Sequence, residues 1–169
     1  MKIGKMMNNI FKIFITITFA SLILLTVVIY NDVSFQNNPL SPEIQNRLVK
    51  QNDIIKRNIH NTYGIDFNIP IVISDKLKAN LFGLASYRNG EIKITLNKKR
   101  FQENDNYMID YVLAHEYAHA LMFHFGKFTR NNGGHTKQWQ NICFSIGGKK
   151  CDRFVGHDDI LIEKIGVVY

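Results

Sequence analysis

The chain has 169 residues, of which 46% are apolar, with only 11 Gly and 3 Pro, and this composition is that of one globular domain with a short additional segment. It excludes disordered, collagen-like and low-complexity proteins, and two cysteines are too few for a disulfide-scaffolded fold or a four-cysteine zinc site. The formal net charge of +7 includes three lysines before the first apolar run, so the remaining 18 basic and 14 acidic residues do not indicate a nucleic-acid partner.

The first predicted element is a transmembrane helix at residues 13–30, where all 18 side chains are uncharged and most are apolar. At a rise of about 1.5 Å per residue this run spans about 27 Å, close to the hydrocarbon thickness of a bilayer. The run has no polar face, which argues against a helix packed on a soluble core. Residues 1–12 form a basic segment, and the positive-inside rule places it in the cytoplasm and residues 31–169 outside.

A cleaved signal sequence is the alternative for the same segment. Signal sequences have a shorter apolar core, about 7 to 15 residues, followed by small residues at the cleavage site. Bulky Val28, Ile29 and Tyr30 stand there instead, so we expect an uncleaved anchor, with secretion after cleavage as the second interpretation. Outside the cytoplasm Cys143 and Cys151 can form a disulfide or remain two buried thiols, and the sequence leaves both open.

A polar, Asn-rich linker at residues 31–40 and a folded domain at residues 41–169 follow the apolar run. The domain begins with a predicted helix, because Ser41 is a favourable N-cap and Pro42 suits the first turn. Gly64 ends the apolar pattern of this helix with a residue that readily adopts the left-handed conformation.

Three predicted strands form a small antiparallel sheet. An alternating apolar pattern at residues 67–73 predicts the first strand. The runs at 81–87 and 91–96 flank Asn89-Gly90, the dipeptide most typical of a two-residue hairpin turn. The sequence therefore predicts an α+β fold in which a small antiparallel sheet packs on helices, preceded by an N-terminal transmembrane helix.

The residues that carry chemistry lie in a predicted long helix at 104–126. It contains an H-E-x-x-H motif formed by His115, Glu116 and His119. Positions i and i+4 of an α-helix differ by about 40° around the axis and about 6 Å along it, so both imidazoles can bind one zinc ion. Glu116 is offset by about 100° and can reach a metal-bound water as general base. The alternative is that these histidines only cap the helix or pair with other side chains.

A catalytic zinc site also needs a third protein ligand and leaves the fourth position to water. His124 lies on the opposite side of the helix from His115, and no Asp or Glu occurs at positions 120–150. His135 is the remaining candidate, because it follows a Gly-rich turn that can return the chain to the helix; a surface histidine is the alternative. Trp139, four residues later, either forms a wall of the site or packs in the core.

Four pieces of the chain between residues 44 and 148 resemble, in order, the SprT/Spartan family of zinc metalloproteases. The pieces are a Gly83-x-Ala85 strand, the strand at 92–97, the HEYAH helix, and Gly134-His135 followed by Trp139 and a Gly-terminated helix. The resemblance implies a minimal zincin fold and cleavage of polypeptides, with His115, His119 and His135 as zinc ligands and Glu116 as general base. For Spartan-type members it also implies action on proteins bound to DNA.

We therefore expect a membrane-tethered zinc endopeptidase that hydrolyses peptide bonds through a zinc-bound water activated by Glu116. Its expected partners are a polypeptide substrate and the membrane. A domain outside the cytoplasm does not meet chromosomal DNA, so we do not expect a nucleic-acid partner. Two alternatives stay open: a zinc-binding module without protease activity, and a cytoplasmic, DNA-associated SprT-type protease in which residues 13–30 are not an anchor.

Overall fold

The computed structural model describes residues 2–129 and 134–152. The chain divides into two compact units, Met1–Pro39 and Leu40–Tyr169. The first unit consists of one helix, α1 (Lys2–Asn37), whose side chains between residues 10 and 31 are all exposed. It is the one helix among the described residues that is long and apolar enough to cross a membrane.

Helix α1 continues beyond the predicted apolar segment and through most of the predicted linker. The sequence pattern placed its end near Tyr30, whereas the helix ends at Asn37. No Gly or Pro interrupts the chain between these positions, so the backbone ladder continues. Pro39 then lacks a donor and restricts the conformation of Asn38, which ends the helix.

The second unit begins with α2 (Pro42–Tyr63), as predicted. The Ser41 hydroxyl accepts a hydrogen bond from the N–H of Ile44 at 3.3 Å, and this N-cap satisfies one of the unpaired donors of the first turn. At the other end Gly64 adopts φ +68° and donates its N–H to the His60 carbonyl at 2.8 Å. Both boundary signals therefore act as the sequence indicated.

Three strands form the sheet in the order β1–β3–β2, with bounds β1 (Ile71–Ser74), β2 (Gly83–Arg88) and β3 (Glu91–Asn97). Strands β2 and β3 are an antiparallel hairpin, as predicted. Its turn residues Asn89 and Gly90 have φ of +53° and +85°, which is the type I′ requirement.

The sheet is mixed, so the prediction of an antiparallel sheet was wrong for β1. This strand pairs with β3 in parallel, with Ile71 opposite Ile94. It also starts only at Ile71, after Pro70, and not at the predicted residue 67; the Pro70 carbonyl accepts the N–H of Ile94 at 3.0 Å. Residues 75–82 connect β1 to β2 across the position next to β1, and β3 later fills that position between them. A local hydrophobic pattern cannot predict such a connection.

The predicted long helix after the sheet is helical but not uniform. Following α3 (Lys98–Glu103), it comprises α4 (Asp105–Tyr107), a π-helical turn (Met108–Val112) and α5 (Leu113–His124). The Asn104 side chain accepts the Tyr107 N–H at 2.9 Å and caps the start, as expected for an Asx residue. π-helical turns are rare and often stand next to functional sites.

Helix α5 is the centre of the domain and packs against β2, β3 and α6 (Lys137–Ser145). All ten residues from Leu113 to Met122 are buried, as expected for a helix surrounded by other elements. A disulfide joins Cys143 of α6 to Cys151, which decides between the two states that the sequence left open. The fold is thus α+β, with a small sheet and α6 both packed on α5.

Candidate metal centre

Two of the predicted ligands, His115 and His119, lie one turn apart on α5, with ring centroids 5.0 Å apart. Both are buried, with 6% and 8% of their surface exposed. The i, i+4 spacing on a regular helix produces this arrangement, as the motif predicted. His124, the last residue of α5, is exposed and its ring lies against Phe67, so it does not join them.

The third predicted ligand, His135, lies two residues before α6 and reaches α5 from there. Its Nε2 atom lies 3.1 Å from Nε2 of His115 and 3.1 Å from Nε2 of His119. Gly134, immediately before it, has φ +84°, and a Cβ there would stand 2.7 Å from the Phe128 ring. Glycine therefore permits both the turn and the close approach that bring His135 to α5.

The three imidazoles fit a metal ion. In a tetrahedral site with zinc–nitrogen bonds of about 2.0–2.1 Å, the ligand nitrogens are about 3.3–3.4 Å apart. The observed separations of 3.1 Å are close to this value. A neutral imidazole has a single N–H, so hydrogen bonds among the three rings require one particular set of tautomers. A cation would pair them all, and imidazole nitrogens suit zinc.

The electrostatics of the pocket keep the imidazoles in the neutral form that binds metals. Burial, with a smaller contribution from His119 and His135, holds the pKa of His115 well below its ordinary value. Burial and the neighbouring His135 lower the pKa of His119 to about 3. Since a charged imidazole cannot coordinate, lone pairs are available on both rings at neutral pH.

Trp139 of α6 contacts all three histidines. Its ring stacks on His119 at 5.1 Å and 27°, and lies edge-on to His115 at 4.7 Å and to His135 at 4.6 Å. The ring is buried, and its Nε1 has no hydrogen-bond partner among the described residues. Ring packing rather than hydrogen bonding therefore orients Trp139, and the same packing restricts the rotation of the imidazoles.

Glu116 lies beside the histidines on α5 and points toward β2. Its Oε2 accepts the backbone N–H of Ala85 at 2.8 Å. None of the described residues donates a hydrogen bond to the other oxygen, Oε1. Burial raises the pKa of this carboxyl to about 8, although the Ala85 hydrogen bond acts in the opposite direction.

Gly83 leaves the space that the Glu116 side chain occupies. A Cβ at Gly83 would stand 2.6 Å from Cγ, 2.7 Å from Oε1 and 2.9 Å from Cδ of Glu116. These separations are well below van der Waals contact, so any larger residue must displace the carboxylate. Glycine in the interior of a strand often marks such a close approach.

Comparison with known proteins identifies the family of this chain. The sequence profile of the SprT-like family matches residues 45–157, which is most of the chain. The chain belongs to the SprT-like family. The matched SprT-like region begins within α2, includes all four predicted site residues and extends beyond the described residues to position 157. No curated protein and no solved structure gives a significant match.

The structure brings together the four residues predicted for the SprT-like site, and their chemical roles stay predictions. Two relationships were not foreseen: the hydrogen bond from Ala85 to Glu116 and the approach of Gly83 to Glu116. Trp139 is both buried and in contact with every candidate ligand, so the two interpretations of this residue hold together. A signal for the two unforeseen relationships existed, because residues 83 and 85 of a strand share one face and both are small. The sequence of the strand alone does not predict that Glu116 packs against that face.

Proposed function

We propose that the SprT-like domain is a zinc-dependent endopeptidase in which His115, His119 and His135 hold the metal and Glu116 is the general base. The observation that carries the proposal is the convergence of three buried or half-buried imidazoles, with Nε2 of His135 3.1 Å from Nε2 of each of the other two, beside a carboxylate held by a backbone donor. Three protein ligands leave one position of a tetrahedral zinc for solvent, as catalytic sites require.

Zinc in this position supplies a Lewis acid that polarises a carbonyl and lowers the pKa of a bound water to about 7. The chain itself supplies the proton transfer. The Ala85 N–H holds Oε2 of Glu116 in place, and a cation held by the neighbouring histidines would favour the ionised carboxylate against the burial that raises its pKa. Oε1 is then the oxygen that accepts the proton of the attacking water. Glu116 then returns the proton to the leaving amine nitrogen.

The free edge of β2 is the proposed place for the substrate backbone. β2 pairs with β3 on one side, and among the described residues no strand pairs with its other side. The N–H of Ala85 is donated to Glu116 and not to β3, so the main-chain groups of Gly83 and Tyr87, two residues to either side, face the same edge. An extended polypeptide added there makes main-chain hydrogen bonds directly beside Glu116, so we propose unfolded or extended protein segments as the substrate class.

The proposed location is a membrane, with α1 as the anchor and the SprT-like domain outside the cytoplasm. The hydroxyls of four residues in α1 donate to helix carbonyls three or four positions earlier (Thr16, Thr18, Ser21 and Thr26), which lowers the cost of placing these side chains in a bilayer. The Cys143–Cys151 disulfide supports an oxidising compartment. The alternative is that α1 is a cleaved signal sequence and the domain is secreted.

The substitution Glu116→Gln tests the proposed activity. Glutamine keeps an acceptor for the Ala85 N–H but cannot take a proton, so we expect unchanged zinc content and a loss of about 100-fold or more in cleavage of an unfolded protein. Glu91→Gln, at the exposed hairpin end, is the matched control and should change neither quantity. A wild-type protein that carries zinc but never cuts unfolded protein would support the alternative of a zinc-binding module instead.

A further inference from the structure

Three aromatic rings form a partly exposed cluster at the end of β2 and α5. Tyr87 stacks on Phe123 at 6.2 Å and 22°, and Phe123 packs on Phe128 at 4.5 Å and 30°. Tyr87 is 57% exposed and Phe128 is 37% exposed, while Phe123 is half-buried. These rings, called the aromatic cluster below, present a continuous apolar surface to solvent, and such surfaces commonly bind a partner.

Each ring of the aromatic cluster belongs to an element that also carries part of the candidate metal centre. Phe123 follows His119 by one turn on the same face of α5, about 6 Å along the axis. Tyr87 follows Ala85 by two residues on the same face of β2. The Phe128 ring lies against Gly134, directly before His135. The cluster therefore adjoins the candidate metal centre through three elements and is not an isolated surface patch.

We propose that the aromatic cluster is a substrate subsite for an aromatic or large aliphatic side chain. The proposal rests on the proposed endopeptidase function. Tyr87 lies two residues beyond Ala85, the residue of β2 that contacts Glu116, and a polypeptide paired with β2 advances by the same spacing of about 3.3 Å per residue. The side chain in the subsite thus belongs to the residue about two positions from the cleaved bond.

The chemistry of the cluster selects against small and charged side chains. Stacked aromatic faces offer dispersion contacts and apolar burial, so a bulky apolar side chain gains more binding free energy there than alanine does. Burying a large apolar side chain corresponds to about a 10- to 100-fold gain in kcat/KM over alanine at that position. Main-chain pairing along β2 would supply affinity, and the aromatic cluster would determine which peptide bond of an extended segment is cleaved.

The test uses the full chain in detergent, loaded with zinc, and a set of peptides in which one Phe is moved stepwise through an Ala and Lys background. Cut positions are mapped by mass spectrometry and rates by a quenched fluorophore. We expect the cut bond to move with the Phe at a constant offset of about two residues. We also expect the Phe peptides to be cut about 10- to 100-fold faster than the peptide without Phe.

Three variants assign the preference to the cluster. Tyr87→Ala should lower the ratio of Phe-peptide to Ala-peptide rates by about fivefold or more, while Tyr87→Phe, which keeps the ring, should retain it. Phe144→Ala removes a ring that is 52% exposed on α6 and should leave the ratio unchanged. An equal fall in the ratio in the Phe144 variant would contradict the assignment.

The outcomes separate this inference from the function on which it rests. If the wild-type protein cuts all peptides equally, or at positions independent of the Phe, the subsite is refuted and the endopeptidase stands. If it cuts none of the peptides and no unfolded protein, the endopeptidase is refuted and the subsite with it. A preference for Phe that survives Tyr87→Ala also overturns the subsite, because the preference would then come from elsewhere.

Discussion

The backbone N–H of Ala85 in β2 donates a hydrogen bond of 2.8 Å to Oε2 of Glu116 in α5. This bond connects the free edge of the sheet to the proposed base, so the same strand positions the carboxylate and offers the main-chain groups for a substrate. Burial alone disfavours an ionised carboxylate, and a backbone donor partly offsets that cost without adding a second titrating group. Activity should accordingly depend on β2 as closely as on the histidines.

Gly83→Ala should impair catalysis without removing the metal. The new Cβ would stand within 2.6–2.9 Å of three Glu116 atoms, so the flexible carboxylate must move away from Ala85. A misplacement of about 1 Å in a catalytic group costs up to about 100-fold in rate, so we expect kcat to fall by about 10- to 100-fold. Zinc content should stay equal to that of the wild type.

The control for this variant is Leu84→Ala, on the same strand with an exposed side chain on the opposite face. Its metal content and peptide cleavage should both stay near wild type. Full activity of Gly83→Ala would show that the position of Glu116 beside β2 does not matter for the reaction.

Trp139 should report metal binding by fluorescence. It is the only tryptophan in the chain, and its ring contacts all three candidate ligands at 4.6–5.1 Å. Adding zinc to chelator-treated protein fixes the imidazole rings and alters their charge distribution, so the emission should change and reach a plateau at one zinc per chain. His124→Ala should titrate like the wild type. An emission that does not respond to zinc would place the metal away from this ring.

The Cys143–Cys151 disulfide should stabilise the domain by about 2.5 kcal/mol, according to the chain-entropy relation for a loop of this length. Urea unfolding of the Cys143→Ser/Cys151→Ser double variant, compared with the oxidised wild type, measures the difference. Because Cys143 belongs to α6, which begins next to His135, zinc should also bind the double variant less tightly. Equal stability of the two proteins would contradict this account of α6.

The membrane proposal predicts that the full chain stays with the membrane after an alkaline carbonate wash. Protease added to the outer face of intact membranes should digest residues 40–169, and thiol labelling without a reductant should leave Cys143 and Cys151 unmodified. A mature mass that begins near residue 31 would indicate a cleaved signal sequence. Recovery in the soluble cytoplasmic fraction with both thiols labelled would refute the topology altogether.

Local patterns predicted the local features well. The i, i+4 spacing of His115 and His119 fixes both on one helical face in any context, and Asn89-Gly90 specifies its own turn. The Ser41 and Gly64 boundaries of α2 also follow from groups within one turn of each other. Each of these features depends on a few neighbouring residues, so a short segment of the sequence is enough to predict it.

Features that depend on distant parts of the chain could not be predicted. The parallel pairing of β1 with β3 results from how residues 75–82 cross the sheet, and hydrophobic alternation is the same for either direction. The donor to Glu116 is a backbone N–H, which every residue except proline possesses, so Ala85 carries no chemical label for it. Spacing alone left Trp139 either beside the site or in the core, and the packing of α6 on α5 brings its ring to all three imidazoles.

The most direct test is the zinc content of the purified full chain, measured by mass spectrometry of the metal, for the wild type, His135→Ala and His124→Ala. We expect one zinc per chain in the wild type and in the His124 variant, and a loss of stoichiometric zinc in the His135 variant. Stoichiometric zinc in His135→Ala, or none in the wild type after loading, would contradict a centre built from His115, His119 and His135.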